Sequence, residues 1–129
     1  MPRAVRQQNP SLTDQQKEIL FKKGTEAPFS GQFLHNQKTG MYACANCGHQ
    51  LFSSGTKFDS GSGWPSFYDV AHSGAVTLQE DHSGGMERIE VMCANCGGHL
   101  GHVFEDGPDP TGKRFCINGC TLDFRPKKK

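Results

Sequence analysis

Cys116 is the residue of this sequence best suited to act as a nucleophile. It lies in the stretch Arg114-Phe115-Cys116-Ile117-Asn118, which has the composition of a strand. Side chains two residues apart share a face of a strand, so Arg114, Cys116 and Asn118 point the same way. A guanidinium beside a thiol favours the reactive thiolate, and arginine stays protonated while it does so. The alternative is a small buried apolar residue, and two polar neighbours on the same face argue against it.

Two histidines supply acids for such a thiol. His99 and His102 are three residues apart, and a regular strand would point them to opposite faces. Gly101 lies between them and allows a bulge that turns both imidazoles toward one site. Imidazoles titrate near neutral pH and are therefore suited to proton transfer. Metal ligation and an ordinary surface role are the alternatives.

The only tryptophan lies in a loop rich in glycine and serine. Trp64 follows Ser60-Gly61-Ser62-Gly63 and precedes Pro65. A lone tryptophan is usually a core anchor, but on a loop of this composition a binding surface is favoured. With Phe104 as a neighbour, Trp64 would offer an apolar wall to a substrate.

Four of the six cysteines form a repeated motif. Cys44-Ala45-Asn46-Cys47-Gly48 recurs as Cys93-Ala94-Asn95-Cys96-Gly97. A two-residue gap lets both thiolates of a tight turn face one ion, and two such turns complete the tetrahedral set of structural zinc. The alternative is a redox dithiol, but one redox pair needs no twin and no βαβ pattern surrounds either pair. We therefore predict one structural Zn²⁺ bound by Cys44, Cys47, Cys93 and Cys96, with no open coordination position.

Short elements must position these side chains. Ser11 is the expected N-cap of a helix from about Leu12 to Lys23, with Asp14 as the capping-box acid and Gly24 as the stop. Beyond Gly24, apolar residues come in short bursts separated by Gly, Ser, Asn, Asp and Pro, as in strands joined by turns. The pattern predicts a mainly β protein with antiparallel sheets and one short N-terminal helix.

Composition limits the class of protein. We expect a disordered N-terminus over residues 1–10 and a single domain over 11–129. The 34% of hydrophobic residues and the 16 glycines predict a modest core that needs some further stabilising device. The net charge of +1 predicts no nucleic-acid partner. No apolar run approaches the ~20 residues that span a bilayer, so we expect no membrane association. The N-terminus lacks the apolar stretch of a signal peptide, which predicts the cytoplasm, where thiols stay reduced.

From about Leu12 to Phe124 the chain resembles the MsrB-type methionine sulfoxide reductases. The resemblance implies two antiparallel β-sheets with short helices, reduction of the R epimer of methionine sulfoxide, free or in proteins, and an active site that includes both histidines. We expect a monomer recycled by thioredoxin or a small thiol. The matching segments are residues 24–31, both Cys-x-x-Cys pairs, 57–67, 99–104 and 114–118, with Leu122 and Phe124.

The expected chemistry is attack by a Cys116 thiolate on the sulfoxide sulfur while an acid protonates the oxygen, which leaves a sulfenic acid. Many relatives carry a second cysteine in the tryptophan loop, where this chain has Ser62. Cys120 is the possible resolving thiol. Four residues of straight strand span ~13 Å, whereas a disulfide needs Cα atoms within ~7 Å, so a turn at Asn118-Gly119 would be required. Direct attack by an external thiol is the alternative.

Two rival functions use parts of the same pattern. A zinc-ribbon module that binds nucleic acid or protein would explain the four cysteines but not Cys116, the histidines or Trp64. A cysteine hydrolase would use Cys116, His102 and Asn118. It would be acylated by an activated ester and be indifferent to the redox state of substrate sulfur.

Overall fold

A computed structural model describes residues 6–27 and 33–126 of the chain. One helix, α1 (Asp14–Lys22), precedes nine strands. The strands are β1 (Gly40–Cys44), β2 (Gln50–Ser53), β3 (Lys57–Phe58), β4 (Ser66–Phe67), β5 (Val76–Asp81), β6 (Arg88–Cys93), β7 (His99–Phe104), β8 (Arg114–Ile117) and β9 (Leu122–Pro126).

The strands form two sheets in which every pairing is antiparallel. One sheet has the order β2-β1-β9, and the other has the order β3-β4-β8-β7-β6-β5. This confirms the predicted fold class. Among the described residues, no helix is long and apolar enough to cross a membrane.

The N-cap of helix α1 lies two residues later than predicted. Thr13 is the N-cap, and it forms a capping box with Gln16: the Gln16 amide donates to Thr13 Oγ1 at 3.2 Å, and the Thr13 amide donates to Gln16 Oε1 at 2.8 Å. The predicted pair of Ser11 and Asp14 was wrong, because the side chains of Thr13 and Gln16 each accept from the backbone amide of the other residue and so satisfy two otherwise free donors. The helix ends at Lys22, and its C-cap Lys23 adopts the left-handed conformation at φ 60° and ψ 33°; Gly24 follows it.

The core lies between the sheets and beneath α1. Tyr42, Phe52 and Phe67 are fully buried, and the rings of Phe52 and Phe67 stack with centroids 4.5 Å apart. Leu20 of α1 is fully buried, and it packs against Gly98. The contact is close, because a Cβ at position 98 would lie 2.9 Å from Leu20 Cδ2. The helix is thereby docked at the start of β7.

Part of the segment expected to be disordered runs beside the first Cys-x-x-Cys turn. The amides of Gln8 and Asn9 donate to Asn46 Oδ1 at 2.8 and 3.3 Å, and Asn9 Nδ2 donates to the Ala45 carbonyl at 2.9 Å. Residues 1–5, the other half of that segment, lie outside the described residues, as does the stretch 28–31 of the segment that matches the family.

Candidate active site and metal cluster

The two Cys-x-x-Cys segments fold into matching turns at the ends of different sheets. Each turn closes through a glycine amide that donates to the first cysteine's carbonyl at 2.8 Å, Gly48 to Cys44 and Gly97 to Cys93. Both glycines have positive φ, 81° and 80°, which side chains disfavour. One turn follows β1 of the three-stranded sheet and the other follows β6 of the six-stranded sheet.

The four sulfurs of these turns lie within 4.8 Å of one another. The Sγ atoms of Cys44 and Cys96 are 3.8 Å apart, and those of Cys47 and Cys93 are 3.5 Å apart. A tetrahedral ion with metal–sulfur bonds of about 2.3 Å needs sulfurs about 3.8 Å apart. The Gly98 amide also donates to Cys96 Sγ at 3.4 Å, as expected for a metal-bound thiolate. The donor set therefore fits a structural metal ion.

A second, separate site is a pocket of about 270 Å³ over β7 and β8. Six of the predicted site residues line it, and Cys120 and His99 do not. The lining consists of Thr25, Ser62, Trp64, Arg88, Gly101, His102, Phe104, Arg114, Cys116 and Asn118.

Cys116 reaches this pocket from the middle of β8. It is the register partner of His102 on β7 and of Ser66 on β4. Ser62 Oγ lies 4.0 Å from Cys116 Sγ, within hydrogen-bonding range of sulfur, and Ser60 links Ser62 to Ser66 through contacts of 2.8 and 2.7 Å. A row of hydroxyls therefore borders the sulfur on one side.

The predicted effect of Arg114 on Cys116 is present but outweighed. Burial raises the pKa of the Cys116 thiol above its ordinary value of 9.0, while the Ser62 hydrogen bond and the charge of Arg114 lower it. Arg114 is also engaged elsewhere. Its Nε and Nη2 donate to both carboxylate oxygens of Asp106 at 2.9 and 3.2 Å, and its guanidinium lies 4.4 Å from the centroid of the Phe104 ring. The net effect favours the thiol form of Cys116 over the thiolate.

The two histidines do share a face, through the bulge that the sequence predicted at this point of β7. Val91 pairs with Gly101 and Met92 pairs with His99, so Leu100 is the extra residue. The imidazole centroids are 5.4 Å apart. His102 is part of the pocket lining, whereas His99 is only 1% exposed. The structure places them in two layers, with His102 at the pocket surface and His99 beneath it.

A buried carboxylate holds each imidazole. His102 Nε2 donates to Asp81 Oδ2 at 2.7 Å, and His99 Nδ1 donates to Glu90 Oε2 at 2.7 Å. Because Nε2 of His102 is occupied by Asp81, its Nδ1 is the nitrogen that remains for a ligand. The sequence did not identify either carboxylate as a site residue. Both lie in strands, and a pattern of alternating polar and apolar residues does not distinguish an acidic residue from any other polar one.

Glu26 joins the remaining parts of the site and was also missed as a site residue. Its carbonyl accepts from Trp64 Nε1 at 3.0 Å, and its amide donates to Asn118 Oδ1 at 3.0 Å. Asn118 Nδ2 donates to the Leu100 carbonyl at 2.9 Å. Asn118 thus contacts Leu100, the bulged residue that lies between the two histidines in β7. The one indication in the sequence was the position of Glu26 in the segment 24–31.

Cys120 lies away from the pocket. The chain does turn after Asn118, into a 3₁₀ turn over Gly119–Thr121, as direct bridging would require. Cys120 is buried there, and its thiol contacts the Glu26 carboxylate. Burial, followed by the charge of Glu26, raises the pKa of Cys120 to about 12.

Fold and site together define a small two-sheet protein with a half-buried thiol, Cys116, in a pocket and a separate cluster of four cysteines. The SelR domain model matches residues 12–126. The peptide methionine sulfoxide reductase MsrB of Methanosarcina barkeri is 59% identical over 92% of this chain and 83% of that protein. The protein of that name from Leptospira interrogans is 58% identical over 88% of this chain and 87% of its own length. The chain belongs to this SelR, or MsrB, family.

A mouse relative extends the similarity beyond microbes. The mitochondrial methionine-R-sulfoxide reductase B3 of Mus musculus is 53% identical over 89% of this chain and 46% of that protein.

Proposed function

We propose that this protein reduces the R epimer of methionine sulfoxide, free or within polypeptides, to methionine. The observation that carries the proposal is the convergence of Cys116, His102 and Trp64 on one pocket, in a chain whose relatives carry that activity in their names. We infer a task for each of these side chains from its place in the pocket.

The sulfoxide would bind with its methyl group against Trp64 and its oxygen toward Nδ1 of His102. Cys116 gives its proton to His102 and attacks the sulfoxide sulfur, and the imidazolium so formed protonates the sulfoxide oxygen as the S–S bond forms. That S–S bond then breaks as the hydroxyl group passes from the substrate sulfur to Cys116 and methionine leaves, so the substrate sulfur is reduced by two electrons and Cys116 is oxidised to a sulfenic acid. Asp81 stabilises the imidazolium that donates the proton. His99, Asn118 and Arg114 help to hold Cys116 and His102 in this arrangement.

The sulfenic acid must then be reduced by thiols. A first thiol condenses with it to give a mixed disulfide and water, and a second thiol releases Cys116. Ser62 borders Cys116 with a hydroxyl, which forms no disulfide. Cys120 is buried and protonated against Glu26, so it needs local opening before it can attack. These facts favour an external thiol, thioredoxin or a small dithiol, over Cys120 as the resolving group.

Zinc is the ion that we propose for the cysteine cluster. Four thiolates in a closed tetrahedral arrangement are typical of structural Zn²⁺, and the ion's contribution would be to stability. We also propose a monomer in the reducing cytosol, which is consistent with six free cysteines.

The decisive experiment incubates separate R and S epimers of methionine sulfoxide with dithiothreitol and the purified protein. We expect turnover of the R epimer alone and loss of that turnover in Cys116→Ser, whereas Cys120→Ser serves as a matched control that stays active. Turnover of neither epimer by the parent protein, or retained turnover in Cys116→Ser, contradicts the proposal. Acylation of Cys116 by an activated ester, with no sulfoxide turnover, would support a hydrolase instead.

A further inference from the structure

A single lysine contacts both carboxylates that hold the histidines. Lys23 Nζ lies 3.5 Å from Asp81 Oδ1 and 3.3 Å from Glu90 Oε1. Each carboxylate thus uses one oxygen for an imidazole and the other for the same ammonium group. The two carboxylate side chains are 3% and 1% exposed, whereas that of Lys23 is 41% exposed.

The backbone at this position directs the lysine inward. Lys23 caps α1 in the left-handed conformation, and its amide donates to the Glu18 carbonyl. The adjacent Lys22 projects into solvent, 73% exposed, and pairs with Glu18 one helical turn earlier. Two lysines that are neighbours in sequence therefore occupy very different electrostatic environments.

Counting charges around the pair shows what Lys23 contributes. Asp81 and Glu90 are two buried anions, and Arg88 approaches Asp81 Oδ2 at 3.7 Å. With Lys23 the four side chains sum to zero when both imidazoles are neutral. Without it they sum to −1, and buried charge of one sign is costly unless a proton compensates it. The imidazoles are the groups positioned to take up that proton.

We infer that Lys23 is a positioning residue for catalysis, which joins the Asp81–His102 and Glu90–His99 pairs through one shared cation and thereby keeps the proton of His102 available for transfer. The inference rests on the proposed function, because that function gives His102 its proton to transfer. An acid that holds its proton more tightly transfers it more slowly. Removal of the lysine would therefore weaken the acid and loosen the carboxylate that orients it.

Other charged groups face His102 and must stay constant in any test. These groups come from the strands packed around His102, and each of them keeps its native side chain in the Lys23 variants. They are Asp81 on β5, Arg88 and Glu90 on β6, His99 on β7, and Arg114 and Cys116 on β8.

The test compares Lys23→Met and Lys23→Gln with Lys23→Arg and with the control Lys22→Met. We expect the first two to lower kcat about tenfold, a part of the ~10²–10⁴ that a general acid supplies, with KM changed less than twofold. Their pH–rate profiles should move to higher pH by about half a unit or more, the direction expected when a nearby cation is lost. Lys23→Arg should restore most of the rate, and Lys22→Met should match the parent.

Nuclear magnetic resonance of the imidazole groups provides a readout that does not depend on turnover. The strongly bonded Nε2 proton of His102 should shift in Lys23→Met and Lys23→Gln, and should remain in place in Lys22→Met. Unchanged imidazole signals with unchanged kcat in both variants would overturn the inference. If the parent protein reduces no sulfoxide but the imidazole signals still shift in the Lys23 variants, the link from Lys23 to His102 stands. In that case only the proposed function is refuted.

Discussion

At the scale of single residues, Cys116 combines a half-buried thiol with neighbours that favour its ionised form. Burial is the largest effect and raises its pKa, while Ser62 and Arg114 act in the opposite direction. Sequence spacing was sufficient to place Arg114, Cys116 and Asn118 on one face. Sequence spacing could not predict the balance of these effects on the pKa, because burial of the thiol depends on how the rest of the chain packs around it, and Asp106 competes for the Arg114 guanidinium.

The pKa of Cys116 is tested by alkylation with iodoacetamide followed by mass spectrometry. Because only the thiolate reacts, the rate at Cys116 should rise with pH through 9. In Arg114→Met the whole curve should move to higher pH, since a charge that stabilises the thiolate is removed. A rate that is already at its plateau at pH 7 in the parent would contradict the raised pKa.

The resolving step is tested at Cys120 and Ser62. With thioredoxin as reductant, Cys120→Ser should retain the parent's turnover, because the buried thiol does not attack the sulfenic acid. Ser62→Cys should increase thioredoxin-dependent turnover, since it places a thiol within contact of Cys116, while activity with dithiothreitol changes little. Collapse of thioredoxin-dependent turnover in Cys120→Ser would instead identify Cys120 as the resolving residue.

At the scale of elements, the pairing of β7 with β8 brings His102 and Cys116 together. Gly101 is essential to that pairing because a Cβ there would lie 2.0 Å from the Cys116 carbonyl oxygen. The sequence indicated the bulge at Gly101 but not this close approach, since the partner strand begins ten residues after β7 ends. The same limit applies to α1: its existence was predictable, whereas its N-cap depended on the competition between Ser11 and Thr13.

Substitution of Gly101 by alanine should separate β7 from β8. Forcing a methyl group against backbone atoms costs about 1–3 kcal/mol or more, and His102 and Cys116 would move apart. We expect a lower melting temperature and a fall in kcat larger than the stability loss explains. Gly55→Ala is the matched control, because its Cβ would meet only Ser53 Oγ at 3.6 Å. Equal behaviour of the two variants in melting and turnover would refute the close approach.

At the scale of the whole molecule, the cysteine cluster joins the two sheets. Cys44 ends β1 of the smaller sheet and Cys47 follows it, whereas Cys93 ends β6 of the larger sheet and Cys96 follows it. The repeated motif was enough to predict this site, because its ligands, spacing and glycines are all local. What the sequence could not supply was the separation between cluster and pocket, which depends on how the two sheets pack.

Loss of the metal should therefore destabilise the protein without altering its chemistry directly. Cys47→Ser should abolish stoichiometric zinc binding and lower the melting temperature by roughly 10 °C or more, given the large binding energies of structural zinc. Zinc content by elemental analysis and melting by circular dichroism measure both effects. Cys120→Ser, which removes a thiol outside the cluster, should keep its zinc; full zinc content in Cys47→Ser would disprove the assignment.

The division of the four ligands between two sheets also has a kinetic consequence. Either turn alone offers an ion only two sulfurs, so a half-formed protein would bind a metal ion weakly and could release it. Tight binding would begin only when β1 and β6 have come together, across the 45 residues that separate Cys47 from Cys93. Metal uptake would then coincide with assembly of the two sheets, and scarcity of the metal in a cell would prolong the partly assembled state.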